Sequence, residues 1–168
     1  MLELKLYPNS ILNQKMPDFD FNNPIMNPVE LEKNMINTMF DNDGMGLSAN
    51  QVGIAARVFT MGHKSSAKNA MALFNPIILD VHEDILDLEE GCLSFPKIYV
   101  KVKRPAAVYA RWQNNLGEWQ QGEFNGYDCK CFLHEFDHLE GITFKDRVSN
   151  LKWNMAVKRG KKINGYSS

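Results

Sequence analysis

The segment His134-Glu135-Phe136-Asp137-His138 carries the strongest structural signal in the sequence. Side chains four residues apart lie on one face of a helix, so His134 and His138 can bind one metal ion together. Glu135 follows the first histidine and can reach a metal-bound water without being a ligand itself, which is where a general base belongs. The spacing therefore predicts a helix that holds a catalytic metal ion.

A catalytic metal site of this kind needs a third protein ligand and an open fourth position. One group of zinc peptidases supplies a histidine ten residues after the first one, but this chain has a phenylalanine there. Another group uses a downstream glutamate, for which Glu140 is the acidic candidate near the motif. Cysteine is the better source. The spacing leaves open whether the ligand is Cys131, three residues before His134, or Cys92.

Patterns typical of helices lie on both sides of the middle of the chain. An asparagine N-cap at Asn27, a proline at the first helical position and apolar residues at every fourth place predict a helix that stops at 41–44. The metal-binding helix is predicted from about Tyr127 to Glu140. Glycines after the last helical residue predict that this helix ends at Gly141, and that a third helix from Asn150 ends at Gly160.

Alternating apolar residues in the middle of the chain predict strands. The clearest are Ala107–Gln113 and a strand that returns after a turn at Asn114–Gly117. Further strands are expected around 57–61, 71–79 and 98–103, and the acidic run 80–90, apart from Glu90, is interpreted as a solvated strand edge and turn. This order predicts an α+β fold. Mainly antiparallel strands would pack around a central metal-binding helix, with an N-terminal helix and a C-terminal helix.

Length and composition indicate a globular protein. The 168 residues, 44% of them hydrophobic and 23% charged, are expected to form a single catalytic domain over 1–168, with a basic C-terminal helix or tail at about 149–168. The net charge of −1 argues against a global basic field that attracts nucleic acid. Three cysteines argue against a disulfide framework, and no signal-peptide or membrane-span pattern is evident. We therefore expect a cytoplasmic protein.

Two glycine-containing segments complete the set of candidate functional sequences. In Gly44-Met45-Gly46-Leu47-Ser48-Ala49-Asn50-Gln51, glycines on both sides of one residue indicate backbone exposed to a ligand, and the glutamine offers an amide donor. In Glu90-Gly91-Cys92-Leu93-Ser94, the glycine lets the backbone approach another group closely. Taken singly, each segment also fits an ordinary loop or turn, and the first lacks the spacing of a phosphate-binding loop.

Taken together and in this order, these segments resemble the signatures of the peptide deformylase family. The family has a Gly-x-Gly-Leu-Ser/Ala-Ala-x-Gln loop, a Glu-Gly-Cys-Leu-Ser turn, and a His-Glu-x-x-His helix that continues to a glycine. The chain carries these signatures at 44–51, 90–94 and 134–141. Residues 6–12 and 103–105 also look like family segments, so the resemblance covers nearly the whole chain.

The resemblance implies a metal-dependent hydrolase that removes the N-formyl group from the N-terminal formylmethionine of nascent polypeptides and releases formate. It implies one divalent metal ion, usually Fe²⁺, although Zn²⁺, Ni²⁺ or Co²⁺ can occupy the site, and two imidazoles with one thiolate suit several of these ions. The implied ligands are Cys92, His134 and His138. The implied catalytic groups are Glu135 as the general base, and the Gln51 side chain and Leu93 backbone N–H as donors to the oxyanion.

The resemblance also implies how the substrate binds. Its backbone would lie extended between the two glycine-containing segments, next to Gly46 and Gly91. The positions that match the family's methionine pocket are Met45, Leu88, Glu90 and Cys131, although Glu90 fits equally a role in bracing the loop through hydrogen bonds.

Lys130 departs from the family, which usually has an aliphatic residue at this position of the pocket. We expect its stem to line the pocket while its charge reaches water or an acid, because a buried ammonium without a partner is costly. The alternative is a rotated helix that leaves Lys130 outside the pocket.

Two rival functions use the same residues. A zinc endopeptidase would cleave peptides within the chain, and a non-catalytic metal-binding protein would bind a peptide without turnover, although the intact Glu135 argues against the latter. The expected partners are N-formylmethionyl peptides, and a monomer is expected. Since the substrate emerges from the ribosome, the C-terminal cations are predicted to contact ribosomal RNA or protein, the alternative being a solvated helix. These cations are Arg147, Lys152, Lys158, Arg159, Lys161 and Lys162.

Overall fold

The computed structural model describes residues 1–164, so the last four residues of the predicted tail lie outside the described part of the chain. The helices are α1 Pro28–Asp41, α2 Gly126–Leu139 and α3 Asn150–Asn164. The strands are β1 Gly46–Ser48, β2 Val58–Met61, β3 Met71–Val81, β4 Ile85–Cys92, β5 Phe95–Pro105, β6 Ala107–Gln113 and β7 Trp119–Asn125. This mixture of helices and antiparallel strands confirms the α+β class.

The described strands form two sheets. One has five strands in the order β1-β2-β3-β6-β7, and the other is the hairpin of β4 and β5. Strand β1 is at the end of its sheet, and β4 pairs with β5 alone, so within residues 1–164 each of these two strands has an edge without a strand partner. None of the helices in this range is long and apolar enough to span a membrane.

Helix α2 lies between the two sheets. One face packs on the five-stranded sheet, where the Phe132 ring centroid is 5.2 Å from that of Phe59 and 5.0 Å from that of Phe124. On the other side, His134 Nδ1 lies 2.8 Å from a Glu90 carboxylate oxygen in the hairpin. Apolar packing of α2 against the five-stranded sheet and its polar contact with the hairpin hold the helix at the centre of the fold, as predicted.

Helix α3 packs on the hairpin and is longer than predicted. Its Trp153 ring lies 5.6 Å from Phe95 and 5.3 Å from Phe144, measured between ring centroids. The prediction that this helix ends at Gly160 was wrong, because α3 continues to Asn164. Gly160 instead allows close approach, since a Cβ there would lie 2.7 Å from the carbonyl oxygen of Lys97.

Most of the other boundaries follow the local signals. Asn27 caps α1 by accepting hydrogen bonds from the backbone N–H groups of Val29 and Glu30, and Gly141, with φ of 74°, follows the end of α2. The predicted strands correspond to β2, β3, β5, β6 and β7. The acidic run 80–90 spans the end of β3, a turn and β4, whose exposed residues alternate with more buried ones such as Leu86 and Glu90. That pattern fits the predicted strand edge and turn.

Candidate metal centre and active site

Three donor side chains from distant parts of the sequence converge beside α2. The ligand atoms of Cys92, His134 and His138 all lie within 4.8 Å of one another. Cys92 Sγ is 3.3 Å from His138 Nε2, and the Nε2 atoms of the two histidines are also 3.3 Å apart. Helix α2 supplies both histidines one turn apart, and the end of β4 supplies the cysteine.

The donor group fits a divalent metal ion. The Glu90 carboxylate at His134 Nδ1 favours a proton on that nitrogen, which leaves the lone pair of Nε2 directed at the donor group. Two imidazole nitrogens and a thiolate that face one another at these distances can bind one cation between them. This set of nitrogen and sulfur donors suits Zn²⁺, Fe²⁺, Co²⁺ and Ni²⁺ rather than Mg²⁺ or Ca²⁺.

The structure separates the two cysteines that the spacing left open. Cys92 joins the histidines, whereas Cys131 Sγ donates to the Met45 carbonyl oxygen at 3.3 Å. Burial raises the pKa of the Cys131 thiol well above its ordinary value, which favours the neutral thiol over a metal-binding thiolate. Cys129 is fully buried, and its Sγ donates to the Pro105 carbonyl oxygen.

Glu135 presents a free carboxylate oxygen beside the donor group. The side chain is buried, and its Oε2 has no hydrogen-bond partner. Burial raises the pKa of its carboxyl to about 7, because a charged carboxylate is poorly solvated there. A proton acceptor with an unused oxygen, adjacent in sequence to a metal donor, can take a proton from a water held at the centre.

Gln51 is held in one orientation by its neighbours. Its Oε1 accepts hydrogen bonds from the Ser48 backbone N–H at 3.0 Å and from the Ser48 hydroxyl at 2.9 Å. The amide NH₂ therefore points the other way, to Ser94 Oγ at 3.1 Å and Cys92 Sγ at 3.4 Å. The neighbouring Asn50 donates to the His138 carbonyl oxygen at 2.8 Å, which ties this segment to α2.

A cavity of about 620 Å³ opens beside the donor group. It lies between the start of β1 and the end of β4. The predicted site residues that line it are Met45, Gly46, Glu90, Gly91, Cys92, Leu93, Lys130, Cys131, His134 and Glu135. Gln51, His138 and Leu88 are not among the lining residues. Leu88 is half-buried on β4 and pairs with Val102, one residue further from the cavity than Glu89.

Both glycines expected to meet the substrate are closely packed. A Cβ at Gly46 would lie 2.5 Å from Glu135 Oε1 and 2.8 Å from Cys131 Sγ. A Cβ at Gly91 would lie 2.6 Å from the ring of Tyr99, the residue opposite it in the hairpin. Larger residues at these positions would displace the side chains that form the cavity wall.

Lys130 lies at the cavity with its charge satisfied by the backbone. Its Nζ donates to the Glu89 carbonyl oxygen at 2.9 Å and lies 4.9 Å from the centroid of the Tyr127 ring. Lys130 lines the cavity, and its ammonium makes an exposed hydrogen bond to a carbonyl rather than an ion pair with an acid. An exposed ammonium fits the expectation that the charge reaches water. Lys130 links α2 to β4 at the cavity rim.

The buried ion pairs that lie next to the donor group were not predicted from the sequence. The Glu90 carboxylate accepts hydrogen bonds from Arg104 as well as contacting His134. Burial opposes ionisation of Glu90, but these two partners lower the pKa of its carboxyl to about 2. These contacts are the ones that the bracing interpretation of Glu90 requires, and Glu90 also lines the cavity. The pairing of Arg104 with Asp137 was not predicted because it is a long-range contact.

The fold and these sequence segments match proteins of known type. The sequence profile described as Polypeptide deformylase matches residues 1–154. The peptide deformylase of Thermotoga maritima is 37% identical over 153 residues, which is 90% of each chain.

Solved structures agree with the sequence comparison. The Legionella pneumophila peptide deformylase superposes with a TM-score of 0.89 at 28% identity, covering 99% of this chain and 96% of that one. The Synechococcus elongatus peptide deformylase in complex with actinonin gives a TM-score of 0.85 at 31% identity, covering 95% and 86%. The chain belongs to the polypeptide deformylase family.

Proposed function

We propose that this protein hydrolyses the N-formyl group of N-terminal formylmethionine on new polypeptides, giving formate and a free amino terminus. The observation that carries this proposal is the Glu135 carboxylate oxygen Oε2, which has no hydrogen-bond partner, on a side chain that lines the same cavity as His134 and Cys92 of the donor group. A metal donor set and a proton acceptor at one open cavity are the parts that amide hydrolysis needs. Family membership supports the choice of a formyl amide.

The metal would be held by Cys92, His134 and His138. When bound there, a divalent ion acts as a Lewis acid on the formyl carbonyl and lowers the pKa of water. We propose Fe²⁺ as the physiological ion because the family usually uses it. The donor set itself accommodates Zn²⁺, Ni²⁺ and Co²⁺ as well.

Glu135 would move the proton that the reaction has to transfer. As water adds to the formyl carbon, the carboxylate accepts its proton. When the C–N bond breaks, the same carboxyl delivers that proton to the departing amine nitrogen, so the carboxylate is regenerated. Its buried position limits the contact of the carboxyl with bulk water during the transfer.

The oxyanion that develops on the formyl oxygen would be stabilised by two donors, the Gln51 amide and the Leu93 backbone N–H. The hydrogen bonds from Ser48 fix the orientation of the Gln51 amide before substrate arrives, so its NH₂ already points towards Cys92 in the donor group. A preorganised donor of this type contributes about 3 kcal/mol in the transition state.

The peptide would bind as an extended strand between β1 and β4. Both strands line the cavity, and each has an edge without a strand partner in the described chain. Backbone hydrogen bonds at Gly46 and Gly91 would hold the peptide by adding it to a sheet edge. The methionine side chain would then lie against Met45 and Cys131.

Four further expectations stay predictions. They are the contact of the substrate with Leu88, the single domain over 1–168, the monomeric state and the cytoplasmic location.

The basic helix α3 would contact the ribosome, where the substrate appears. Its Trp153 and Ala156 are buried against the hairpin, whereas Lys158, Lys161 and Lys162 are exposed. An exposed row of cations on a helix anchored by aromatic packing suits phosphate groups of ribosomal RNA.

Replacing Glu135 by glutamine tests the proposed reaction. The amide is nearly isosteric but cannot accept a proton, so formate release from a formyl-Met peptide should fall by about 100- to 10,000-fold with the metal retained. Formate release and chain cleavage are measured in parallel on the formylated peptide and its unformylated copy. Glu83→Gln, in the exposed turn before β4, is the control for the same chemical change. Cleavage within either peptide would instead indicate an endopeptidase.

Alanine substitutions at the two cysteines test the ligand assignment. Cys92→Ala should lose the bound metal or most activity, because it removes one of three donors, while Cys131→Ala should retain the metal. Metal content is measured by elemental analysis of the purified proteins. A metal-replete and active Cys92→Ala protein would contradict the assignment.

Replacing Lys130 by isoleucine tests its role at the cavity rim. The loss of the ammonium should favour formyl-Met peptides with an apolar second residue and penalise those with an acidic one. The expected change is about 1 kcal/mol, or several-fold in kcat/KM, with metal content unchanged. Lys130→Arg, which keeps the charge, is the matched control. Identical specificity profiles for all three proteins would place Lys130 outside substrate recognition.

Charge reversal on α3 tests the ribosome contact without removing Trp153 from the core. Lys158→Glu with Lys161→Glu should weaken co-sedimentation with ribosomes and lower the slope of log K against log salt by about one to two. The control is Lys33→Glu with Lys68→Glu, which reverses two exposed charges elsewhere. Equal co-sedimentation of the two double variants would refute a specific contact through α3.

A further inference from the structure

A line of alternating charges leads from the metal donor His134 to the protein surface. The Glu90 carboxylate contacts His134 Nδ1 and accepts hydrogen bonds from the Arg104 guanidinium. Arg104 Nη1 donates to Asp137 Oδ2 at 2.9 Å. Arg147 then donates to both Asp137 oxygens, from Nε at 2.9 Å and from Nη2 at 2.6 Å.

The inner members of this line are almost completely removed from water. The side chain of Glu90 is 1% exposed and those of Arg104 and Asp137 are 7% exposed, whereas that of Arg147 is 44% exposed. Burying charges costs several kcal/mol for each ion unless partners and hydrogen bonds compensate. Each buried charge therefore needs the opposite charge of its neighbour to offset the cost of burial. The line ends at Arg147, whose side chain reaches solvent.

Arg147 is needed to complete the surroundings of Asp137. Asp137 directly precedes His138 on α2, and its carboxylate accepts hydrogen bonds from both arginines. Without Arg147 it would have one cation instead of two in a buried setting. With Arg147 removed, the Asp137 carboxylate would attract Arg104 more strongly. Arg104 would then shift relative to Glu90, which its other donors hold in place against His134.

The segment that carries Arg147 also contacts His134 directly. Arg147 ends the short 3₁₀ helix Phe144–Arg147, and the Phe144 ring centroid is 5.6 Å from that of His134. The same four residues thus contact His134 through an aromatic ring and reach it through the line of charges. The segment supports one imidazole from two directions.

We propose that Arg147 is a positioning residue for the metal centre, which acts through Asp137 and Arg104 on the Glu90 carboxylate that orients His134. This inference rests on the proposed metal-binding role of His134. Outer partners of metal-binding histidines fix the ring orientation and the tautomer, and their loss typically costs about 10- to 100-fold in metal affinity or activity. Arg147 extends that support to a residue at the surface.

The test is binding of Co²⁺ alone to the metal-free protein, followed by its visible absorption spectrum. Arg147→Met keeps the aliphatic stem but removes the charge and the hydrogen bonds. It should bind Co²⁺ about tenfold more weakly and show a changed ligand-field spectrum. Arg147→Lys keeps the charge but cannot make the bidentate contact, so its Co²⁺ affinity should lie between those of Arg147→Met and the wild type. Arg111→Met is the control, since Arg111 is an exposed arginine that packs on Trp119.

A second variant separates positioning from a loss of stability. Asp137→Asn breaks the same line one step further in, so combining it with Arg147→Met should weaken Co²⁺ binding no more than Asp137→Asn alone. Thermal unfolding is followed for every variant. If Arg147→Met lowers Tm but binds Co²⁺ with the affinity and spectrum of the wild type, or if the two effects add, the proposal is overturned. A wild-type protein that binds no Co²⁺ would instead contradict the metal centre itself.

Discussion

The hydrogen bond between His134 and Glu90 is the contact on which the rest of the site depends. It joins the central helix to the β4–β5 hairpin, two parts of the fold that belong to different layers. The third member of the candidate donor group, Cys92, lies two residues after Glu90 on the same strand. The docking of the hairpin on α2 therefore brings the cysteine to the histidines. It does so with charged groups, whereas the opposite face of α2 is held by aromatic packing.

Local signals in the sequence were enough to predict the helices that carry a distinctive capping residue or a pair of metal-binding side chains. The Asn27 cap and the paired histidines of α2 act within one or two helical turns, so their outcome does not depend on the rest of the chain. The α+β class followed from the order of these elements along the chain. In the same way, the motif placed Glu135 beside the donors because neighbours on one helix keep their relation in any fold.

Contacts between distant segments could not be predicted in this way. The choice between Cys92 and Cys131 depends on how the hairpin docks, and no spacing rule encodes that. Gly160 was misread because a helical glycine serves equally as a stop signal or as a place of close approach, and only the packed Lys97 carbonyl distinguishes the two. The link from Arg104 through Asp137 to Arg147 also appears only when three elements meet.

The cavity between β1 and β4 is bordered by two sheet edges that have no strand partner in the described chain. If the peptide binds there by the proposed strand addition, its end has to be extended and single, and an end already paired in a sheet or wound in a helix is excluded. Access therefore closes as the amino terminus of the new protein begins to fold. The rate of processing competes with the folding of the client, so slowly folding amino-terminal segments remain open to the enzyme for longer.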